Sequence, residues 1–303
     1  MAKYIVKRVL LAVVSIIIIS AIAFFAMNAI PGGPFNKEKA SSPAVIAALE
    51  ARYNLDKPVT QQYFIYMKNL LHGDWGVSLK SGRDIWDDIW SRFGVSAKLG
   101  GTAAIVAIIL GIILGSIAGL TRNRLPDRLI VFFTTLGTAI PSFVLATLLL
   151  LVFCLKLGWA PVYSSSNPNY VLPIIALSVY PMAYITRLTK TSMLDALNQD
   201  YVRTAKAKGV AAWKVIFKHA LRNALIPVIT YVGPMVAYIL TGSMVVESIF
   251  TIGGLGSSFV TSITNRDYPT IMATTIFLAV LMVVANLLTD IAYKLVDPRI
   301  TLE

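Results

Sequence analysis

Residues 9–29 read VLLAVVSIIIISAIAFFAMNA, a stretch without a single charged side chain. A helix rises 1.5 Å per residue, so about 20 apolar residues cross the ~30 Å hydrocarbon core of a bilayer. Lys3, Lys7 and Arg8 precede the stretch, and Pro31-Gly32-Gly33-Pro34 stops it. Ala21-Ile22-Ala23 resembles a small-residue cleavage site, but the apolar run outlasts the ~7–15 residues of a signal-peptide core. It therefore reads as a retained first span over residues 9–30.

Working outward, the same pattern returns over 99–120, 129–155, 171–188, 224–246 and 270–292, which predicts six transmembrane helices in one domain of residues 1–303. The fold class is an all-α polytopic membrane protein. Composition agrees, since charged residues make up 14% of the chain where a soluble domain carries about 25%. An ordinary soluble enzyme and a disordered chain are both excluded. The net charge of +12 comes from 27 Lys and Arg against 15 Asp and Glu. These cations form no single stripe of the kind that binds nucleic acid. They gather between apolar blocks, as Arg122, Arg124 and Arg128 do, and as eight cations do over 187–222 against Asp195 and Asp200. By the positive-inside rule those segments and both termini are cytoplasmic.

Residues 31–95 then form an extracytoplasmic region. Ser42-Pro43 opens a helix with Val45, Ile46 and Leu49 on one face. Asp56 and Pro58 open a second, with Val59, Tyr63, Met67 and Leu70 at helical spacing. A third, Asp84 to Phe93, places Ile85, Trp86, Ile89 and Trp90 on one side. Tyr and Trp favour the membrane–water boundary, so these helices are expected across the outer surface, the alternative being a small independent domain.

Little in the chain resembles catalysis. It contains no Gly-x-x-x-x-Gly-Lys-Ser/Thr loop for nucleotide phosphates, one cysteine (Cys154) inside an apolar run, and two isolated histidines, His72 and His219. Neither a metal site nor a nucleophile with its base is legible. Asn28, Asn286 and Asp290 are the main polar intrusions in the spans, so a solute pathway here is a mostly neutral tube, without the carboxylate relays of proton-driven carriers. Gly111, Gly115 and Gly119 recur every four residues, which lets a second helix backbone approach closely. Pro141, Pro173, Pro181, Pro227 and Pro234 each remove a backbone donor and are expected to kink spans three to five.

The informative loop is Asp200-Tyr201-Val202-Arg203-Thr204-Ala205-Lys206-Ala207-Lys208-Gly209, a short cationic helix ended by glycine. It reads either as a helix lying on anionic membrane lipid or as a handle gripped by a cytoplasmic protein.

At this loop the sequence resembles a family. Arg203-Thr204-Ala205-x-x-x-Gly209 stands where permease subunits of bacterial ABC importers carry Glu-Ala-Ala-x-x-x-Gly. His219-Ala220-Leu221-Arg222-Asn223-Ala224 with Pro227 is similar to the peptide/nickel branch. Gly73-Asp74-Trp75-Gly76, Val95-Ser96-Ala97-Lys98-Leu99-Gly100, Thr241-Gly242-Ser243-Met244-Val245-Val246-Glu247 and Asn265-Arg266-Asp267-Tyr268 resemble its oligopeptide/dipeptide permease B-type members. The likeness runs from Met1 to Asp297-Pro298-Arg299. Arg203 and Thr204 depart from the general signature, and Gly94 and Gly253 stand where proline is frequent.

The resemblance implies a type I ABC importer fold and half of a translocation pathway in the bacterial cytoplasmic membrane. A second homologous permease subunit would complete the pathway as a heterodimer. Two cytoplasmic ATPase subunits would hold ATP and Mg, with no cofactor on this chain, and an extracytoplasmic binding protein would deliver short peptides. Asp200, Tyr201, Arg203, Thr204, Ala205, Lys206, Ala207, Lys208 and Gly209 would form the coupling helix, with small Ala205 on the contact face. Glu247 with Gly253, Gly254 and Gly256 would form an outer gate loop, unless Glu247 is a solvated charge at a helix end. The same branch takes nickel chelates or oligosaccharides. Outside it, a self-contained secondary carrier and a membrane scaffold are the competing readings.

Overall fold

A computed structural model describes residues 2–31, 55–240 and 244–296. The helix expected after Ser42-Pro43, the Thr241-Gly242-Ser243 stretch and the Asp297-Pro298-Arg299 tail lie outside the described residues. Among those described, the fold is all helical apart from one isolated bridge between Val77 and Asp84.

In chain order the helices are α1 (Ala2–Ala29), α2 (Val59–Leu71), α3 (Ile85–Leu120), α4 (Leu125–Ala139), α5 (Ser142–Leu149), α6 (Val171–Leu197), α7 (Asp200–Ala207), α8 (Ala212–Lys214), α9 (Arg222–Leu240), α10 (Met244–Ile249), α11 (Leu255–Asn265) and α12 (Tyr268–Val296). Wider π-helical turns extend α5 over Leu150–Lys156 and join α8 to α9 over Val215–Leu221. Among the described residues five helical runs are long and apolar enough to cross a membrane, and α4 with α5, bent by 100° at its break, makes a sixth if the pair is one span.

Several boundaries differ from those read in the sequence, each for a local reason. The short helix expected over Asp84–Phe93 and the span expected over 99–120 are one helix of 36 residues, about 54 Å long and longer than the bilayer core is thick. Gly94 stands in its interior, where a proline would have broken it. The span expected over 129–155 is two helices, because Pro141 sits ahead of α5 with extended backbone at Ile140. Pro181, Pro227 and Pro234 lie inside helices. Pro173, expected to kink span four, instead occupies the first turn of α6, where no N–H is needed. α6 also runs on to Leu197, past the end expected at 188.

The chain, expected as a single domain, divides into two compact units: residues 1–95 with 253–283, and 96–252 with 284–303. In the first, the expected surface helix α2 buries its face against other helices. Tyr63 packs with Phe24 and Met27 of α1 and with Tyr268, Met272 and Ile276 of α12, and its hydroxyl lies 2.9 Å from that of Ser20. Trp75, Trp86, Trp90 and Phe93 gather around Phe277, over the buried Ile85 and Ile89. Asp267 closes this unit, accepting hydrogen bonds from Ser78 Oγ, the Leu79 N–H (3.0 Å) and Thr270 Oγ1 (2.8 Å).

In the second unit α3, α6 and α9 pack through Ala104, Ile185, Val228, Met235 and Ile239. A Cβ on Gly111 would lie 2.6 Å from the Ile185 side chain, and one on Gly115 would lie 2.5 Å from the Thr186 carbonyl oxygen. One on Gly119 would meet Met193 at 3.0 Å. α3 and α6 therefore touch almost backbone to backbone, as small residues at this spacing allow. α1 is the opposite case: Leu10, Val14, Ile18 and Ile22 stand exposed along it, a face suited to lipid.

Candidate functional site: an exposed cationic helix on a braced base

α7 has eight residues and depends on its surroundings for stability, since isolated short helices are marginal. Asp200 in its first turn and Lys206 in its last complement the helix dipole. Its end is built by Gly209 at φ +72°: the Gly209 N–H donates to Lys206 O at 3.0 Å, and the Val210 N–H to Ala205 O at 3.1 Å. This paired arrangement caps two carbonyls and reverses the chain.

Two faces follow. Val202 and Ala205 are buried against Val215, with Val210 alongside. Asp200, Tyr201, Arg203, Thr204, Lys206, Ala207, Lys208 and Gly209 are exposed. Ala205, expected on the face offered to a partner, therefore belongs to the face that seats the helix on its own chain. The exposed surface of α7 is formed instead by Tyr201, Thr204, Ala207 and the cations. Arg203 and Asp200 approach to 3.5 Å, but both side chains are solvated, and such pairs contribute little.

The base beneath α7 is rigid on both sides. Met193 and Ala196 of α6 pack with Ala220 and Ala224 of the run entering α9, and all four are buried. α7 rests on Val215 in that same run, so its seat is continuous with the packed ends of α6 and α9. Lys190, one turn before Met193, pairs with Asp127 at the start of α4. Asp127 also accepts a hydrogen bond of 2.9 Å from the N–H of Asn123, whose φ is +64°. The pair ties the α3–α4 turn to α6. Sequence reasoning missed it, because nothing in the spacing of two isolated charges marks them as partners.

Glu247 is not a solvated helix-end charge. It is buried and accepts a hydrogen bond of 2.7 Å from Ser96 Oγ on α3. The expected glycine loop is largely helical: Gly254 is the N-cap of α11, and Gly256 is buried in its first turn. Glu247 belongs to one compact unit and the glycines to the other. Among the described residues no group of three or more His, Cys, Asp and Glu side chains could hold a metal ion. His72 turns its Nδ1 to Lys68 O at 2.8 Å, within its own helix end.

Comparison with known proteins places this architecture. Residues 111–302 match the family described as binding-protein-dependent transport system inner membrane component, and residues 1–100 match the corresponding N-terminal family. The dipeptide transport system permease protein DppB of Bacillus subtilis is 48% identical over 100% of this chain and 99% of its own length. The oligopeptide transport system permease protein OppB of Haemophilus influenzae is 42% identical, with 99% of each chain covered. Two solved structures share the fold at 14% identity. A subunit of an amino acid ABC transporter aligns with a TM-score of 0.57 over 69% of this chain and 94% of its own. One of the MetNI methionine ABC transporter in an inward-facing conformation aligns with 0.55, over 69% and 95%.

Proposed function

The chain belongs to the binding-protein-dependent transport system inner membrane components, and from that premise we propose that it forms half of an ATP-driven import pathway for short peptides. Relatives named for dipeptide and oligopeptide transport align over nearly its whole length, which supports the substrate class. The basic loops support a cytoplasmic position for both termini and α7 in a bacterial cell. A second permease subunit completes the pathway, a binding protein outside delivers the peptide, and two ATPases beneath carry ATP, Mg and the hydrolysis. This chain supplies motion without chemistry.

One observation carries the mechanism: α7 exposes a cationic face while its other face is seated on Val215, in the run that enters α9 and packs against the end of α6. An ATPase that grips the exposed face moves both spans together. Closure of the ATPases on ATP must contact the two transporter states differently, or no population shifts. Because α6 and α9 are held through buried side chains, the shift passes as rigid-body motion and is not lost in a soft linker.

Reconstitution tests this. Liposomes carrying this subunit with its second permease, both ATPases and the binding protein accumulate labelled di- and tripeptides only with ATP on the ATPase side. Accumulation by this chain alone on a proton or sodium gradient, or none by the complex with ATP, overturns the reading.

A further inference from the structure

Around the break between α4 and α5 lies a cavity of about 650 Å³, within the range of small-ligand sites. Its walls come from three places where regular helix is interrupted or proline-bearing: Thr138 to Phe143, Leu177 to Pro181, and Tyr231 to Ile239. We propose that this cavity holds the transported peptide by its backbone partway across the membrane, an inference that rests on the peptide-import reading above.

The first ground is the set of backbone groups. The Ile140 N–H still reaches Leu136 O at 3.0 Å, but the carbonyls of residues 137–139 and the first N–H groups of α5 have no partner within their own helices. Pro141 has no N–H to continue the ladder across the break. On α6, Pro181 cannot donate to the carbonyl of Leu177, four residues earlier, and both residues line the cavity. Irregular backbone at membrane depth is tolerated where it is buried in protein or borders a polar cavity. A peptide unit brings one N–H and one C=O and requires partners for both in a dry site. The cavity wall presents donors and acceptors together, and no charge.

The second ground is tyrosine. Tyr180 and Tyr184 share a face of α6, and Tyr231 and Tyr238 share a face of α9. Tyr184 stacks on Tyr231 with ring centroids 4.2 Å apart, which joins the two faces into one aromatic wall. Tyr180, Tyr231 and Tyr238 line the cavity, and Tyr238 is 72% exposed. Phenol rings in the middle of spans carry a polar hydroxyl, which a polar path suits better than hydrocarbon. Facing a peptide path they serve twice, the hydroxyl pairing with main chain and the ring covering side chains of any kind. Such a wall reads the feature common to all peptides and ignores what distinguishes them.

The test uses the complete reconstituted complex. A tripeptide with a benzophenone side chain, delivered by the binding protein and irradiated during turnover, is expected to crosslink to residues 138–143, 177–184 or 231–239. Combining Tyr180→Phe, Tyr231→Phe and Tyr238→Phe removes three hydroxyls and little volume. Each lost hydrogen bond corresponds to about a three- to tenfold effect. Peptide uptake should fall at least about threefold, while assembly and binding-protein-stimulated ATP hydrolysis persist. Wild-type peptide uptake with crosslinks confined to other segments, or undiminished uptake by the triple variant, overturns this inference and leaves the import reading intact. A wild-type complex that accumulates no peptide overturns both.

Discussion

Lys190 on α6 donates a hydrogen bond to Asp127 at the start of α4, from 63 positions away in sequence. The pair is largely shielded, with side-chain exposures of 22% and 6%. Its position matters more than its strength. Lys190 stands one turn before Met193, which packs in the base under α7. The ion pair therefore fixes the α3–α4 turn to the same end of α6 that carries the exposed cationic helix.

Breaking that pair from one side should be worse than removing it whole. Asp127→Asn or Lys190→Met each leaves a shielded charge without its partner, at about 3 kcal/mol. The combination of Asp127→Asn with Lys190→Met should recover part of that loss. Thermal unfolding of the purified protein in detergent measures all three. Additive losses in the double variant would show that the two residues do not act as a pair.

The spans were legible because lipid imposes one rule, long uncharged runs, and the runs are unmistakable from Val9 onward. α7 was legible too, from its glycine stop and its charges. Which face of α7 turns inward was not, because Ala205 is small enough to suit either a partner's groove or the chain's own Val215. Glu247 defeated the sequence reading for a related reason. A lone carboxylate near a helix end is usually solvated, and the Ser96 hydroxyl that this one meets stands 151 positions away. Pro173 and Pro181 are both prolines near one span, yet only the second lies in the helix interior. Periodicity locates helices well, but it carries no information on which distant residue meets which.

The two alanines of α7 separate seating from coupling. Ala205→Arg places a long cation in a packed contact with Val215 and should lower stability by about 2 kcal/mol or more. Uptake then falls because α7 is loosened. Ala207→Arg projects from the exposed face and should leave unfolding temperature unchanged while ATP-driven uptake drops severalfold. Equal melting behaviour of the two variants would contradict the assigned faces.

Ser96 should matter through Glu247. In Ser96→Ala a buried carboxyl group loses the donor at 2.7 Å, which costs about 1–3 kcal/mol. Ser96→Thr keeps the hydroxyl and should retain most of that stability. Chemical denaturation of the two variants side by side reads the difference, and equal losses would mean that volume at position 96 dominates.

The tight approach of α3 to α6 gives a graded series. At Gly115 an added methyl meets backbone, the Thr186 carbonyl oxygen at 2.5 Å, and backbone cannot step aside without moving the helix. Gly115→Ala should therefore cost about 1–3 kcal/mol by overpacking. At Gly119 the obstacle is Met193 Cβ at 3.0 Å, which is also fixed to its backbone, but the overlap is smaller and a shift of a few tenths of an ångström relieves it, so Gly119→Ala should cost less. At Gly101 nothing lies within 4 Å, and Gly101→Ala should stabilise α3 by about 0.5–1 kcal/mol through lower backbone entropy in the unfolded chain. Unfolding temperatures should thus rank Gly101→Ala above the parent, then Gly119→Ala, then Gly115→Ala. The reverse order at 115 and 119 would mean that α3 slides along α6 to make room, a freedom incompatible with spans that move as rigid bodies.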